Sequence, residues 1–333
     1  MRLRVLSSYA VRAIGLILFI YILMNIDFRQ MVSVALSLDL TVLLVLVSIV
    51  AIIVILKGIR WQVLGREMGL SFSTKEAVDA LCVSQVTGLV LPGALGDLIR
   101  VPYLTSRGNP TDMATLSILV DAVVSAIIPY AVAVLALLRI FDIPITASSL
   151  LIPILWIVGL YGVYRLLKAT LWSWFMRARL QKLMTSGIRG NILFDLPTTL
   201  RALGLKTVLL AVLLAAGSWF LYTMQGYVLA LAMGLNITWE YLAISLSVSI
   251  MLTAIPVSIV GLGIREGALL FLFSLIGIEA VTVVAFSLTL LVTSLTPSIV
   301  GIISWMRDPF LDVETHPMEV SLGVSPPPNF EHA

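Results

Sequence analysis

The sequence predicts an all-α protein that crosses a membrane several times. Hydrophobic residues make up 60% of the 333 residues and charged residues only 12%. Soluble proteins have roughly 45–50% apolar and about 25% charged residues. The mean hydropathy is +1.08, and the apolar residues are gathered in long runs. These observations exclude a soluble enzyme, a disordered chain and a coiled coil.

Six of the apolar runs are predicted to cross the membrane as helices, because a crossing needs about 20 mostly apolar residues. They are 10–26, 40–56, 113–138, 143–164, 207–239 and 280–306. Two further segments, 77–108 and 241–278, are each interrupted by a proline. Proline removes a backbone donor and clashes with the preceding helical turn. Pro92 and Pro256 therefore predict two re-entrant helical hairpins, and the sequence leaves eight full spans open as the alternative.

The basic residues predict the orientation of the chain. The loop 165–206 has eight Lys or Arg residues against one acid, Asp195, and the N-terminus carries three arginines. The loop 57–76 is also net positive, so Lys57, Arg60 and Arg66 are interpreted as topology signals, with binding of lipid head groups as the alternative. Cytoplasmic loops carry such an excess of positive charge. We expect a multi-pass protein of the inner or plasma membrane with both termini in the cytoplasm.

The two hairpin segments share a pattern of proline, then glycine, then an arginine near a carboxylate. The first motif contains Pro92, Gly93, Gly96, Asp97 and Arg100. The second contains Pro256, Gly261, Gly263, Arg265 and Glu266. The pattern predicts a transmembrane domain, residues 1–306, built from inverted repeats 1–140 and 143–306, an arrangement typical of transporters. Residues 307–333 are predicted to form a disordered tail.

Five charged residues fall at membrane depth: Asp97, Arg100, Asp121, Arg265 and Glu266. Each would cost about 2.5–3.5 kcal/mol at the bilayer centre if unpaired, so we expect them to pair or to reach water. Asp97 and Arg100 are three residues apart and can pair on a helix. Arg265 and Glu266 are adjacent and are expected on different sides of a helix, with Asp121 a candidate partner for either arginine. The set is either a structural ion-pair network or a site for an anionic head group, since the planar guanidinium suits phosphate.

The sequence offers little for catalysis or cofactor binding. Cys82 is the single cysteine, His316 and His332 lie in the tail, and the Gly-Lys pair of a P-loop does not occur. We therefore expect no catalytic residues, no cofactor, no metal site and no nucleic-acid partner.

Three segments resemble one known family. They are Arg60-Trp61, LPGALGDLIR at 91–100 and PVSIVGLGIREG at 256–267. They are similar to the flippase-like transmembrane domain of lysylphosphatidylglycerol synthases, and the resemblance covers roughly residues 10–305. It implies an inner-membrane protein that moves lipids between leaflets. By this resemblance, Pro92, Gly96, Asp97 and Arg100 match one family motif, and Gly261, Gly263, Arg265 and Glu266 match the other.

The chain also departs from the family. The family often has an acid–Arg pair where this chain has Ile118 and Leu119. It also often has an Arg in the last span, where this chain has only apolar residues at 290–292. The motif position that the family usually fills with Glu is Asp97 here. We expect the soluble aminoacyl-transferase domain of the synthases to be absent, because 27 residues follow residue 306. We therefore expect a stand-alone member that does not make aminoacyl lipid.

Together these observations predict a lipid translocase rather than an enzyme. Its partner would be a membrane phospholipid or a polyprenyl-phosphate-type lipid, with a second copy of the chain and a separate lipid-modifying enzyme as further candidates. The hairpins would meet near mid-membrane, with Arg100 and Arg265 holding the head group. The predicted substrate-binding residues are Pro92, Gly93, Gly96, Asp97, Arg100, Asp121, Gly261, Gly263, Arg265 and Glu266. The alternatives are a membrane-embedded enzyme acting on a lipid phosphate and a non-transporting scaffold in envelope or glycan assembly.

Overall fold

A computed structural model of the chain describes residues 20–24, 26–90, 93–140, 199, 202–253 and 262–307. Most of the predicted span 10–26, the whole span 143–164, most of the loop 165–206 and the tail after 307 lie outside these residues. So do Pro92, Pro256 and Gly261.

The described residues form helices joined by turns, and no strand occurs among them. The helices are α1 (Phe28–Leu36), α2 (Leu40–Glu67), α3 (Thr74–Val90), a 3-10 helix (Gly93–Ile99), α4 (Arg100–Thr105), α5 (Thr111–Ile140), α6 (Leu205–Ala232), α7 (Trp239–Thr253), α8 (Ile264–Ser274), α9 (Ala280–Ser294) and α10 (Pro297–Arg307). The predicted all-α class agrees with these helices.

Four stretches of these helices are long and apolar enough to cross a membrane. They are Leu40–Glu67, Thr111–Leu138, Leu205–Ala232 and Ala280–Arg307. Each coincides with a predicted span. Large apolar side chains on them, such as Leu213 and Ile299, remain exposed, as expected where a helix faces lipid. The chain is a multi-pass membrane protein.

Two helical boundaries differ from the sequence prediction. α2 continues through Glu67, so Lys57 and Arg60 belong to a long helix and not to a loop. α1 occupies part of the predicted loop between the first two spans. Its start is stabilised by Asp27, whose carboxylate accepts hydrogen bonds from the backbone of Arg29 at 2.9 Å and Gln30 at 3.1 Å, as N-cap side chains do.

Contacts between helix ends place several connections at one end of the bundle. Glu67 at the end of α2 accepts hydrogen bonds from Gly204 N at 3.3 Å and Thr207 Oγ1 at 3.1 Å, at the start of α6. Glu76 at the start of α3 pairs with Arg107, after α4, at 3.4 Å. We call this end the basic end; its described basic residues are Arg66, Lys75, Arg107, Lys206 and Arg307.

The other connections lie at the opposite end. Tyr241, at the start of α7, donates its hydroxyl hydrogen bond to Leu272 O, at the end of α8, at 2.5 Å. Leu235, Ile237 and Leu272 belong to the largest apolar core cluster, against which Leu38 and Ile278 also pack. α3 thus begins at the basic end and α4 ends there, whereas α7 begins at the opposite end and α8 ends there.

The 3-10 helix runs directly against α3. A Cβ added at Gly96 would lie 2.5 Å from Gly88 Cα and 2.6 Å from Gly88 N. Thr87 on α3 donates a hydrogen bond to Gly96 O at 2.8 Å. Only a residue without a side chain at position 96 allows this approach, which fixes the neighbouring Asp97 against α3.

Candidate functional site

A buried carboxylate on α5, that of Asp121, joins three helices. Asp121 is 3% exposed. Its Oδ1 accepts a hydrogen bond from Arg60 Nε on α2 at 2.8 Å, and its Oδ2 accepts one from Arg100 Nη1 on α4 at 3.2 Å. Because both oxygens have a cationic donor, the cost of burying this charge is offset by two charge-assisted hydrogen bonds.

The terminal nitrogen Nη2 of the Arg60 guanidinium also has a hydrogen-bond partner. This nitrogen donates to Ser125 Oγ at 2.6 Å, and this hydroxyl donates in turn to Asp121 O at 2.6 Å. Ser125 lies one helical turn after Asp121, so the two residues present their polar groups to Arg60 together. Arg60 therefore has a fixed orientation inside the protein.

Arg100 has a more accessible carboxylate on its other side. Its Nη2 lies 3.0 Å from Asp97 Oδ1, and the side chain of Asp97 is 42% exposed against 3% for Arg100. Asp97 also accepts a hydrogen bond from Ser84 Oγ on α3 at 3.1 Å. The guanidinium of Arg100 lies over the ring of Trp61, 4.9 Å from its centroid, which adds a cation–π attraction.

Lys57 gives this group of charges a positive surplus. It lies one helical turn before Arg60 and Trp61 on α2, and it has Coulombic interactions with Arg60, Arg100, Asp97 and Asp121. Among the described residues it has no hydrogen-bond or ion-pair partner. We call Lys57, Arg60, Asp97, Arg100 and Asp121 the Asp121 cluster, in which three cations face two carboxylates.

A second group surrounds Glu266 at the start of α8, and Glu266 is fully buried. Its Oε1 accepts from Arg265 Nη2 at 2.6 Å and from Ser287 Oγ on α9 at 2.9 Å. Its Oε2 accepts from the backbone N–H of Gly263 at 2.7 Å. Gly263 has a φ of 85°, a conformation that suits glycine. We call Gly263, Arg265, Glu266 and Ser287 the Glu266 cluster.

The family of the chain follows from a comparison of its sequence with models of known protein families. The family model described as the lysylphosphatidylglycerol synthase transmembrane region matches residues 6–301. The chain belongs to this family. A UPF0104 membrane protein of Methanothermobacter thermautotrophicus is 26% identical over 280 residues, which cover 76% of this chain and 80% of that protein. The matched residues include both clusters, and the resemblance inferred from the motifs is confirmed.

The two clusters of this family member lie at different levels of the bundle. Arg60 is seven residues, or about 10 Å, from the basic end of α2. Ser287 is seven residues, or about 10 Å, from the opposite end of α9. α2 has 28 residues and is about 42 Å long. No hydrogen bond or ion pair joins the clusters within the part of the chain that the structure describes. Binding of one head group by both Arg100 and Arg265 stays a prediction.

Most of the predicted site residues are brought into these clusters. Asp97, Arg100 and Asp121 lie in the first, and the predicted pairing of Asp97 with Arg100 is confirmed. Gly263, Arg265 and Glu266 lie in the second. Gly93 and Gly96 lie in the 3-10 helix, where Gly96 has a packing role. Pro92 and Gly261 lie outside the described residues.

Two expectations about the arginines differ from the structure. Arg265 and Glu266 were expected to point apart, but their side chains meet, because Glu266 folds back toward the backbone of Gly263 and the long Arg265 side chain follows it. Arg60, interpreted as a topology signal, is 3% exposed and pairs with Asp121. The sequence contained a signal for this role: the apolar pattern of α2 continues past residue 56 with Ile59, Trp61 and Leu64.

Proposed function

We propose that the chain moves a lipid with an anionic, phosphate-containing head group between the two leaflets of the cell membrane. The observation that carries this proposal is the positive surplus of the Asp121 cluster. A partly buried cation without a described partner, as Lys57 is, is costly, and a phosphate would supply the missing negative charge. Arginine and lysine together suit a phosphate, because the guanidinium donates in parallel pairs and the ammonium acts as a point charge.

The geometry of the cluster separates a fixed part from an exchangeable part. Asp121 holds Arg60 and Arg100 in place from the buried side. Asp97 is the exposed carboxylate on Arg100, and it is the group that a phosphate oxygen would displace. In the bound state Arg100 and Lys57 would contact the phosphate, while Asp121 would keep Arg100 oriented.

The Glu266 cluster would serve as a second binding position for the head group during its movement between leaflets. Its arginine and its carboxylate are balanced in charge, so it would hold an anionic head group less firmly than the Asp121 cluster does. A head group could thus move from the basic end toward the opposite end, while the acyl chains stay in the bilayer against the exposed apolar faces of the long helices.

The finer topology belongs to this proposal. We place α3 with α4, and α7 with α8, as two re-entrant hairpins in a six-span chain. The repeats 1–140 and 143–306 would then be inverted, which is supported by matching contacts: α3 packs against α10, and α7 packs against α5. The basic end, and with it both termini, would face the cytoplasm. The membrane potential favours outward movement of one negative charge by about 2.3 kcal/mol per 100 mV.

Leaflet exchange in proteoliposomes tests the proposal. Fluorescent phosphatidylglycerol, its lysyl form, cardiolipin, phosphatidylcholine and a polyprenyl phosphate would be compared, with dithionite reporting the outer leaflet. We expect faster exchange of an anionic lipid than in empty vesicles. Lys57→Gln should slow it about tenfold, which corresponds to about 1.4 kcal/mol, and Lys57→Arg should retain most of it.

Arg66→Gln is the matched control, because Arg66 is an exposed cation on the same helix and outside the cluster. Equal loss in Lys57→Gln and Arg66→Gln would contradict a role for the Asp121 cluster. Mass spectrometry of the lipids separates the remaining functions. A lipid of changed mass would indicate an enzyme, and unchanged lipid without exchange would favour a scaffold.

A further inference from the structure

A cavity of about 350 Å³ lies at the basic end between α3, α4 and α10, outside both clusters. Its charged lining residues are Lys75, Glu76, Asp79, Arg107 and Arg307. Small-molecule sites begin at about 300 Å³, so the cavity can hold a group the size of a phosphoglycerol and not a whole lipid.

The charges of the cavity are not balanced. Three cations face two carboxylates, and one carboxylate is already engaged: Glu76 pairs with Arg107 at 3.4 Å and accepts hydrogen bonds from Ser73. Arg107 is held further by the ring of Tyr103, whose centroid lies 3.9 Å from its Cζ atom. Lys75 and Arg307 have no ion-pair partner among the described carboxylates. Two exposed cations therefore border a cavity that has a rigid polar wall.

The other wall of the cavity is apolar and faces outward. Val300 and Ile303 on α10 line the cavity, and they are also 50% and 45% exposed. α10 forms the end of an apolar stretch long enough to cross a membrane. The cavity is thus charged on the side of the helix ends and apolar toward the bilayer, which matches the two parts of a lipid at the membrane surface.

We infer that this cavity binds the phosphate-containing head group of an anionic membrane lipid in the leaflet at the basic end. Lys75 and Arg307 contact the phosphate, Arg107 is held in position by Glu76 and Tyr103, and the acyl chains leave over Val300 and Ile303. This binding does not depend on the translocation proposed above. Only its use as the entry station for transport rests on that proposal.

Native mass spectrometry of the full chain with added phosphatidylglycerol or phosphatidylcholine tests the inference. The double variant Lys75→Gln/Arg307→Gln should bind phosphatidylglycerol about 25-fold more weakly, because each basic residue near an anionic lipid contributes about 1 kcal/mol, or about fivefold in affinity. Binding of phosphatidylcholine should not change. Circular dichroism would check that the variants remain folded.

The matched control is Arg66→Gln/Lys206→Gln, which removes the same two charge types from exposed positions at the same end but outside the cavity. We expect this control to bind phosphatidylglycerol as the native chain does. Equal weakening in both double variants, or weakening in neither, would overturn the inference. Competition by inorganic phosphate at the same concentration as the lipid would also overturn it, since it would indicate a site for the free ion.

The same preparations separate this inference from the proposed function. Phosphatidylglycerol binding that depends on Lys75 and Arg307, without leaflet exchange of any lipid, would support the cavity and contradict the translocation. Exchange that is sensitive to Lys57→Gln but binding that is insensitive to Lys75→Gln/Arg307→Gln would do the reverse.

Discussion

Arg60 and Asp121 lie 61 positions apart in the sequence, and the Nε atom of Arg60 donates a hydrogen bond to Asp121 Oδ1 at 2.8 Å. Both side chains are 4% exposed. The pair ties the basic half of α2 to α5, and through the second oxygen of Asp121 it also fixes α4. Asp121 thereby also orients Arg100, whose other side faces the more exposed Asp97.

Asp121→Ala should be strongly destabilising, because it leaves Arg60 and Arg100 buried without a shared counter-charge. Removing one partner of a buried ion pair costs about 3–5 kcal/mol, so thermal unfolding of the purified chain in detergent should shift clearly downward. Asp39→Ala is the control, since Asp39 is exposed and makes no side-chain cap hydrogen bond. Equal melting temperatures for the two variants would contradict the buried role of Asp121.

Ser287→Ala should loosen the Glu266 cluster. The Ser287 hydroxyl donates to Glu266 Oε1 at 2.9 Å and accepts from Arg265 Nε at 3.1 Å. Loss of a buried partner in this way costs about 1–3 kcal/mol, measurable as a lower melting temperature. Ser274→Ala, at an exposed serine that bonds only within its own helix, should have little effect. The interpretation fails if both substitutions destabilise the chain alike.

Gly96→Ala and Gly88→Ala should differ sharply although they face each other. A methyl group at Gly96 would meet the backbone of Gly88 at 2.5 Å, whereas a methyl group at Gly88 would have no neighbour within 4 Å among the described residues. Overpacking costs about 1–3 kcal/mol, and the displaced 3-10 helix would carry Asp97 away from Ser84. We therefore expect Gly96→Ala alone to lower both the melting temperature and the leaflet exchange. Tolerance of Gly96→Ala would show that the 3-10 helix can move away from α3 freely.

The start of α3 should become less stable in acid. The backbone N–H of Ser73 donates to Glu76 Oε2 at 2.7 Å, and the Ser73 hydroxyl donates to the same oxygen at 2.8 Å. These bonds lower the pKa of Glu76 below its usual value of 4.5, and the backbone bond has the larger effect. Partial burial of the carboxylate opposes them. A carboxyl group whose folded-state pKa is lowered stabilises the fold above its unfolded pKa, and this contribution is lost as the pH falls through the folded pKa.

The native chain should therefore lose more thermal stability below pH 4.5 than Glu76→Gln, which has no such proton to gain. Melting curves between pH 7 and pH 3 would measure the difference. Parallel curves for the native chain and Glu76→Gln would contradict the assignment. Ser73→Ala, which removes only the hydroxyl of this capping box, should cost about 1 kcal/mol at neutral pH.

The sequence was sufficient for features that depend on local patterns. Apolar runs located the four long helical stretches, and the three-residue spacing of Asp97 and Arg100 predicted their ion pair. It was insufficient where a partner lies far along the chain, as Arg60 does for Asp121, because spacing carries no information about such pairs. The error at Arg265 and Glu266 has a different cause. The expectation assumed the side-chain directions of a helix interior. Arg265 and Glu266 instead lie in the first turn of α8, directly after Gly263, whose positive φ turns the backbone N–H of Gly263 toward the Glu266 carboxylate.

The hydroxyl groups in the two clusters have a consequence for proton leakage. Ser125 accepts from Arg60 and donates to Asp121 O, and Ser287 accepts from Arg265 and donates to Glu266. Each hydroxyl thus receives its hydrogen bond from a guanidinium, and a guanidinium does not give up its proton in proteins. Neither hydroxyl can relay a proton onward. These two chains of hydrogen bonds therefore give protons no route through the guanidinium groups, although the carboxylates that the chains hold are buried.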